Sequence, residues 1–323
     1  MKEKNQSDSG SISRRQFLKN SFAFGTASLI SLSSPKLIFS LPENTHTPLV
    51  TPLHFVNPYG IAVDPEGLIY VTDAGGYCIK VFDQDGEPVR TFGKPGSSGD
   101  KLNYPQGICI DTNGNLYVID SNNGRIAIFS PDGNLKGSVG EIGGYPDAFY
   151  SPKGIFVSDK IYACNTRNHR LSVFDKTTRQ LIGSYGDLGD DPGDLPQGSL
   201  NYHFRLPTDV AVSDDGKIYI ADSKHGEIKV LAQNGAFLFS FGENGSDKGQ
   251  LNLPEGITLD RQNNVYICDS MNGRIQKFDS QGNFLGLMNE GFKRPTSICI
   301  DSDDKFYVVD AELKQVIKFV WTA

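Results

Sequence analysis

The sequence predicts an all-β fold: a six-bladed β-propeller, four antiparallel strands per blade, with the ring closed by an N-terminal strand. Three observations predict it. A Pro-x-Gly-like phrase recurs six times, at Pro58, Pro105, Pro152, Pro207, Pro254 and Pro295. Each copy opens a unit of short apolar runs separated by Gly, Asn and Asp turns, which suit the positive φ of tight hairpins. The last unit is one run short, and a spare run precedes the first.

Residues 1–40 read as an export address. Ser13-Arg14-Arg15-Gln16-Phe17-Leu18-Lys19 carries the paired arginines, aromatic and lysine of a twin-arginine signal. The run from Phe22 to Leu32 that follows is only modestly apolar, diluted by Gly25, Thr26 and serines, where an ordinary secretory signal is more hydrophobic. Residues 41–323 are then the propeller, and a periplasmic or extracytoplasmic location is expected. No cysteine lies near the end of the segment, which argues against a lipoprotein. After residue 40 no apolar stretch approaches the length of a membrane-spanning helix.

Each unit follows one plan. The phrase itself, as in Pro105-Gln106-Gly107-Ile108-Cys109-Ile110-Asp111, is the first strand. A turn such as Asn113-Gly114-Asn115 leads to a second run ending in a polar residue, Leu116 to Asp120. A short polar loop and a third run follow, Arg125 to Phe129, and after another turn a fourth. Four strands in some forty residues is the period of a propeller blade. Many runs are apolar on both sides (Ile-Cys-Ile, Ile-Ala-Val), as strands buried between neighbouring sheets must be. The sixth unit ends after its third strand, so residues 48–56 are expected to complete it, because an open ring would leave sheet faces unpaired.

Composition narrows the functions. Residues 41–323 hold 25 Lys+Arg and 36 Asp+Glu, a net charge of −11 that repels phosphate backbones and makes nucleic acid a poor partner. The five cysteines, Cys78, Cys109, Cys164, Cys268 and Cys299, are odd in number, lack CxxC spacing and sit in apolar runs. They read as small core residues, a state compatible with folding before export.

The phrase continued through Asp120-Ser121-Asn122-Asn123-Gly124-Arg125-Ile126 and Asp269-Ser270-Met271-Asn272-Gly273-Arg274-Ile275 resembles the NHL repeat; Asn165 to Leu171 is a looser match. The resemblance spans about residues 48–320 and implies the propeller fold. It does not fix a function, because one fold hosts many. Enzymatic relatives imply specific residues. The peptide-amidating lyase propeller places zinc-binding histidines directly after the proline of innermost strands. Here those positions are Tyr59, Gln106, Lys153, Thr208, Glu255 and Thr296, so that zinc site is not expected. Lactonase-type propellers hold a channel calcium with Glu and Asn oxygens; Glu255 fits, without a matching ring of partners. A streptogramin-lyase resemblance would need a seventh blade.

The six residues after the prolines are expected to line one channel mouth as ligand-binding candidates. His169 and His225, in second-to-third strand loops on the same face, are candidate bases or ligands without a carboxylate partner at recognisable spacing. The interval from Pro152 to Pro207 is 55 residues against 47 for three others, and the extra length holds Asp187, Asp190, Asp191 and Asp194, then Tyr202, His203 and Phe204. Asp190, Asp191, Tyr202, His203 and Phe204 are expected to form a partner-binding lip, with calcium as a second use of the aspartates. The recurring Asp and Arg of the repeat read as an internal pairing. The expectation is a monomeric, non-catalytic scaffold docking a protein, peptide or other ligand on the long-loop face, with a channel-metal lyase or lactonase-like hydrolase as the alternative.

Overall fold

A computed structural model describes residues 47–51, 54–145, 147–188 and 202–321. The twin-arginine segment therefore lies outside the described residues, as do Asp190 and Asp191.

Six four-stranded antiparallel sheets follow one another along the chain. Blade 1 comprises Pro58–Val63, Ile69–Asp73, Cys78–Phe82 and Pro88–Phe92. Blade 2 comprises Pro105–Ile110, Leu116–Asp120, Arg125–Phe129 and Leu135–Val139. Blade 3 is Ile155–Val157, Lys160–Asn165, Arg170–Asp175 and Leu181–Tyr185. Blade 4 is Pro207–Val212, Ile218–Asp222, Glu227–Leu231 and Phe237–Phe241, and blade 5 is Pro254–Leu259, Val265–Asp269, Arg274–Phe278 and Phe284–Met288. Blade 6 takes Pro295–Ile300, Lys305–Asp310 and Gln315–Val320 from the C-terminus and Thr47–Val50 from the N-terminus. Thr47 pairs with Lys318 and Val50 with Val316, so the spare strand closes the ring. Its pairing ends at Val50; the backbone N–H groups of Val56 and Asn57 instead donate to the Asp73 carboxylate of blade 1.

The core is divided among six apolar clusters, one at each interface between adjacent blades. The cluster between blades 6 and 1 contains Val50, Phe55, Val71 and Val309, so closure contributes one of the six. A sheet that buries both faces only by stacking on its neighbours has no stable isolated form, and the ring is the unit of folding.

Two recurring devices explain the repeat. The aspartate ending the first strand braces the following turn: Asp260 accepts from the Asn264 N–H at 2.8 Å and the Tyr266 hydroxyl at 3.0 Å, and Asp301 does the same with Lys305 and Tyr307. The glycine of the phrase lies where innermost strands touch. A Cβ on Gly107 would sit 2.4 Å from the Lys153 carbonyl oxygen. Gly107 instead donates its N–H to that oxygen at 2.9 Å.

Candidate functional site

The six innermost strands enclose a central cavity of about 450 Å³, a volume typical of small-ligand sites. Its walls mix polar and apolar surface; Ile108, Val210, Ala211, Ile257 and Ile298 are turned into the clusters between blades, while half-buried Val63, Ile110, Phe156, Val212, Leu259 and Ile300, one from each blade, line it. One end lies on the loop face, where Tyr59, Thr208, Glu255 and Thr296 line it. Four of the six expected mouth residues are therefore there. Gln106 and Lys153 are not among the lining residues, which corrects the expectation of one ring of six.

Five of these six side chains have defined partners. The Thr208 hydroxyl donates to the Pro254 carbonyl at 2.8 Å and the Thr296 hydroxyl to that of Tyr59 at 3.0 Å. These two threonines stitch neighbouring innermost strands together and are not free to hold a ligand. The Tyr59 hydroxyl lies beside the Glu255 carboxylate, and the Lys153 ammonium lies 5.4 Å from the Tyr59 ring centroid. Tyr59, Lys153 and Glu255 belong to blades 1, 3 and 5. Alternate blades share no interface, so these side chains meet only over the axis, and they span the mouth on the loop face. Burial, then the adjacent Glu255 carboxylate, hold the Tyr59 hydroxyl well above the ordinary phenol range. Buried oxygens Glu255 Oε2 and Gln106 Oε1 have no hydrogen-bond partner among the described residues.

Beneath this cap is Asp209, a residue the sequence reading passed over. It occupies the glycine position of the phrase in blade 4, where blades 1, 2, 3 and 5 have Gly60, Gly107, Gly154 and Gly256. That substitution was the available signal. The Ile257 N–H donates to Asp209 Oδ2 at 3.1 Å, and the N–H groups of Val210 and Ile155 also stabilise its charge. Burial outweighs them and, with Glu255 nearby, pushes its carboxyl up to about 7. The neighbouring phrase accommodates it: a Cβ on Gly154 would lie 2.2 Å from Asp209 Oδ1. The opposite end of the cavity is formed by first-to-second strand turns, with Ser213, Asp214, Asp260, Arg261 and Asn263. Asp214 and Arg261 are exposed, so the cavity reaches the surface on this turn face.

Both histidines are partnered, and only His225 has the carboxylate partner that was not expected. His169 sits at the left-handed position that ends its loop, φ 54°, and its Nδ1 accepts the Leu206 N–H at 3.2 Å. Burial lowers its pKa. It is a structural link between blades 3 and 4. His225 Nδ1 lies 2.7 Å from Asp222 Oδ2, a carboxylate three residues earlier. Among the described residues Asp222, His225 and Glu227 form a group with metal-ligand chemistry. The protein fills it with its own cation: the Lys229 ammonium is 2.7 Å from Asp222, bonded to Glu227, and 3.3 Å from His225 Nδ1. The donor set does not fit a resident metal while Lys229 is there.

The long interval is also resolved at its described ends. Tyr202 and Phe204 are buried in the cluster between blades 3 and 4. Phe204 occupies the position held by Leu102, Phe149 and Leu251 in the sibling loops, each fully buried beside a short parallel bridge. Both aromatics are spent on packing, which corrects the expectation of an aromatic lip. His203 is half-buried, paired in register with Asp187. The apolar side chains exposed on this face are elsewhere: Val56, Ile142, Tyr145, Tyr150 and Met271.

The repeat Asp and Arg are an internal pairing. Arg125 bonds Asp120 at 2.8 Å and Arg274 bonds Asp269 at 2.6 Å. The same carboxylates accept the backbone N–H of Asn103 and Asn252. The pair thus ties blades 2 and 5 to the loops arriving from the blades before them.

The NHL repeat model matches residues 55–82, 102–129, 204–231 and 251–278, in blades 1, 2, 4 and 5. The chain carries NHL repeats. Blades 3 and 6 have the same four strands without matching the model. No curated protein matches the chain. Among solved structures, a catalytically inactive virginiamycin B lyase from Staphylococcus aureus, in a structure with quinupristin, is 15% identical at a TM-score of 0.59, covering 85% of this chain and 84% of that one. A gluconolactonase from Xanthomonas campestris is 17% identical at a TM-score of 0.64, covering 84% and 87%. A protein of unknown function from Bacteroides thetaiotaomicron is 16% identical at a TM-score of 0.63, covering 82% and 70%. At these identities the likeness is one of fold.

Proposed function

We propose that this protein is an exported binding propeller that holds a small ligand in its central channel. The observation that carries the reading is the cavity of about 450 Å³ with Asp209 and Glu255 at one end and a half-buried apolar side chain from each blade further along it. Mass spectrometry of protein purified after native export tests it. A small molecule released from wild type in stoichiometric amount, and lost in Asp209→Asn, supports the reading; no molecule in either overturns it. Export by the twin-arginine route is part of the proposal, and Arg14→Lys with Arg15→Lys should retain the protein inside the cell. A protein or peptide partner would dock on the loop face over Ile142, Tyr145 and Tyr150, all exposed; Tyr145→Glu should abolish its capture.

A catalytic reading, hydrolase or lyase, is favoured by one observation. Asp209, with its carboxyl near 7, lies close to Glu255 and Tyr59, and two carboxyls in unlike environments can divide acid and base roles. The fold neighbours named as a lyase and a gluconolactonase are compatible with it. A released molecule identical to the one supplied favours binding, whereas its conversion by wild type and not by Asp209→Asn favours catalysis.

A further inference from the structure

The two ends of the channel differ in a way that specifies a ligand. At the loop-face end the available groups are acceptors. Glu255 Oε2 is buried without a partner, and the hydrogen-bond donors that hold Asp209 are backbone N–H groups. Of the hydroxyls lining the cavity, Thr208 and Thr296 are bonded to backbone carbonyls, that of Tyr59 lies on the Glu255 carboxylate, and Ser297 Oγ accepts the Ile61 N–H. The nearby cations, Lys153 and Arg294, are not among the lining residues, and the Lys153 ammonium is engaged 5.4 Å from the ring centroid of Tyr59. A ligand carboxylate would meet two carboxyls there, and an alcohol would bring one proton and no charge. An ammonium brings three donors and the opposite charge. Below this end each blade adds one half-buried apolar side chain to the lining, Val63, Ile110, Phe156, Val212, Leu259 and Ile300, a ring against which methylenes can be buried.

Access is the second asymmetry. On the loop face the axis is spanned by Tyr59, Lys153 and Glu255, from three alternate blades. On the turn face the lining residues include exposed Asp214 and Arg261, and Arg261 is drawn aside onto the Ser302 carbonyl. We propose that the channel ligand is an elongated aliphatic amine that enters from the turn face, its ammonium resting between Asp209 and Glu255 and its apolar body along the walls. This rests on the channel-binding reading above and names its ligand class.

The test is calorimetric titration of the full-length protein with octylamine, 1-octanol and octanoate. Octylamine is expected to bind at least tenfold more tightly than either isostere. Asp209→Asn and Glu255→Gln should each weaken octylamine tenfold or more while leaving octanol unchanged, and near-ultraviolet circular dichroism confirms that each variant is folded. Ser213→Trp, at the turn-face mouth, should slow association at least tenfold, and Lys153→Ala on the loop face should not change it. Equal or tighter binding of octanol or octanoate, still lost in Ser213→Trp, overturns the amine and leaves the channel reading standing. No saturable binding of any of the three probes overturns the amine proposal; the channel reading then stands or falls separately on the molecule released from the natively exported protein. Association slowed by loop-face substitutions and not by Ser213→Trp overturns the direction of access.

Discussion

Blades 4 and 5 occupy adjacent positions in one ring and solve the same problem differently. In blade 5 the carboxylate of Asp269 is held by Arg274, Asn272, Gln276 and the Asn252 N–H, and Arg274 also donates to the carbonyls of Ser246, Asp247 and Gln250 in the arriving loop. In blade 4 the arginine position is Glu227 and the asparagine position is His225, while Lys229 replaces Gln276. The charge pair is thereby turned inward: a buried ammonium faces two carboxylates, and no arginine reaches the loop. The glycine of the phrase changes in the same blade, from Gly256 to Asp209. Blade 4 is also where the long interval arrives. The difference teaches that the repeat keeps its strand geometry at both anchors, while the side chains that hold the buried carboxylate and the loop they secure can change.

The largest expected effect comes from removing the blade 4 cation. Lys229→Met leaves Asp222 and Glu227 buried without the ammonium that bonds them both, and should cost about 3–5 kcal/mol in denaturant unfolding. A loss below about 1 kcal/mol would break the comparison, because it would mean that the carboxylates are not dependent on that ammonium. Arg274→Met in blade 5 should cost less, about 1–3 kcal/mol, since Asp269 keeps Asn272, Gln276 and a backbone N–H.

Asp209 distinguishes the two blades by pH. Its folded carboxyl is raised to about 7, chiefly by burial, and the groups facing it are Glu255, Tyr59 and the thiols of Cys109, Cys164 and Cys268. A raised carboxyl binds its proton more tightly in the folded state. Its contribution is present below the unfolded value and is lost as pH rises toward 7, with a limiting slope of about 1.4 kcal/mol per pH unit. Asp209→Asn should therefore stabilise the protein at pH 8 relative to wild type and not at pH 4, as read from thermal unfolding. Amine binding should run the other way in wild type, strengthening between pH 6 and 8 as the carboxylate forms. The smallest effect is expected from rebuilding blade 5 in blade 4: Glu227→Arg with Lys229→Gln should lie within about 1 kcal/mol of wild type, because the charge pair is moved rather than removed.

The sequence announced most of the architecture. Six copies of one phrase, a missing last strand and a spare first one specify six blades and their closure, and Thr47–Val50 does pair on Gln315–Val320. The turn aspartates and the Asp–Arg pairs were legible for the same reason: their partners lie four to six residues away, at fixed spacing. Tyr202 and Phe204 were misread because a longer loop looks like a surface feature, whereas its last residues keep the packing role of Leu102 and Leu251.

What sequence alone determined is therefore what repeats, since a repeat is a local pattern that fixes the same strand pairing each time it occurs. The site was decided only by tertiary structure. Tyr59, Lys153 and Glu255 come from alternate blades and can meet only where the ring brings every innermost strand to one axis. The character of Asp209 was decided there as well, because its shifted carboxyl results from burial at that axis beside a second carboxyl, and neither condition is written within its own repeat.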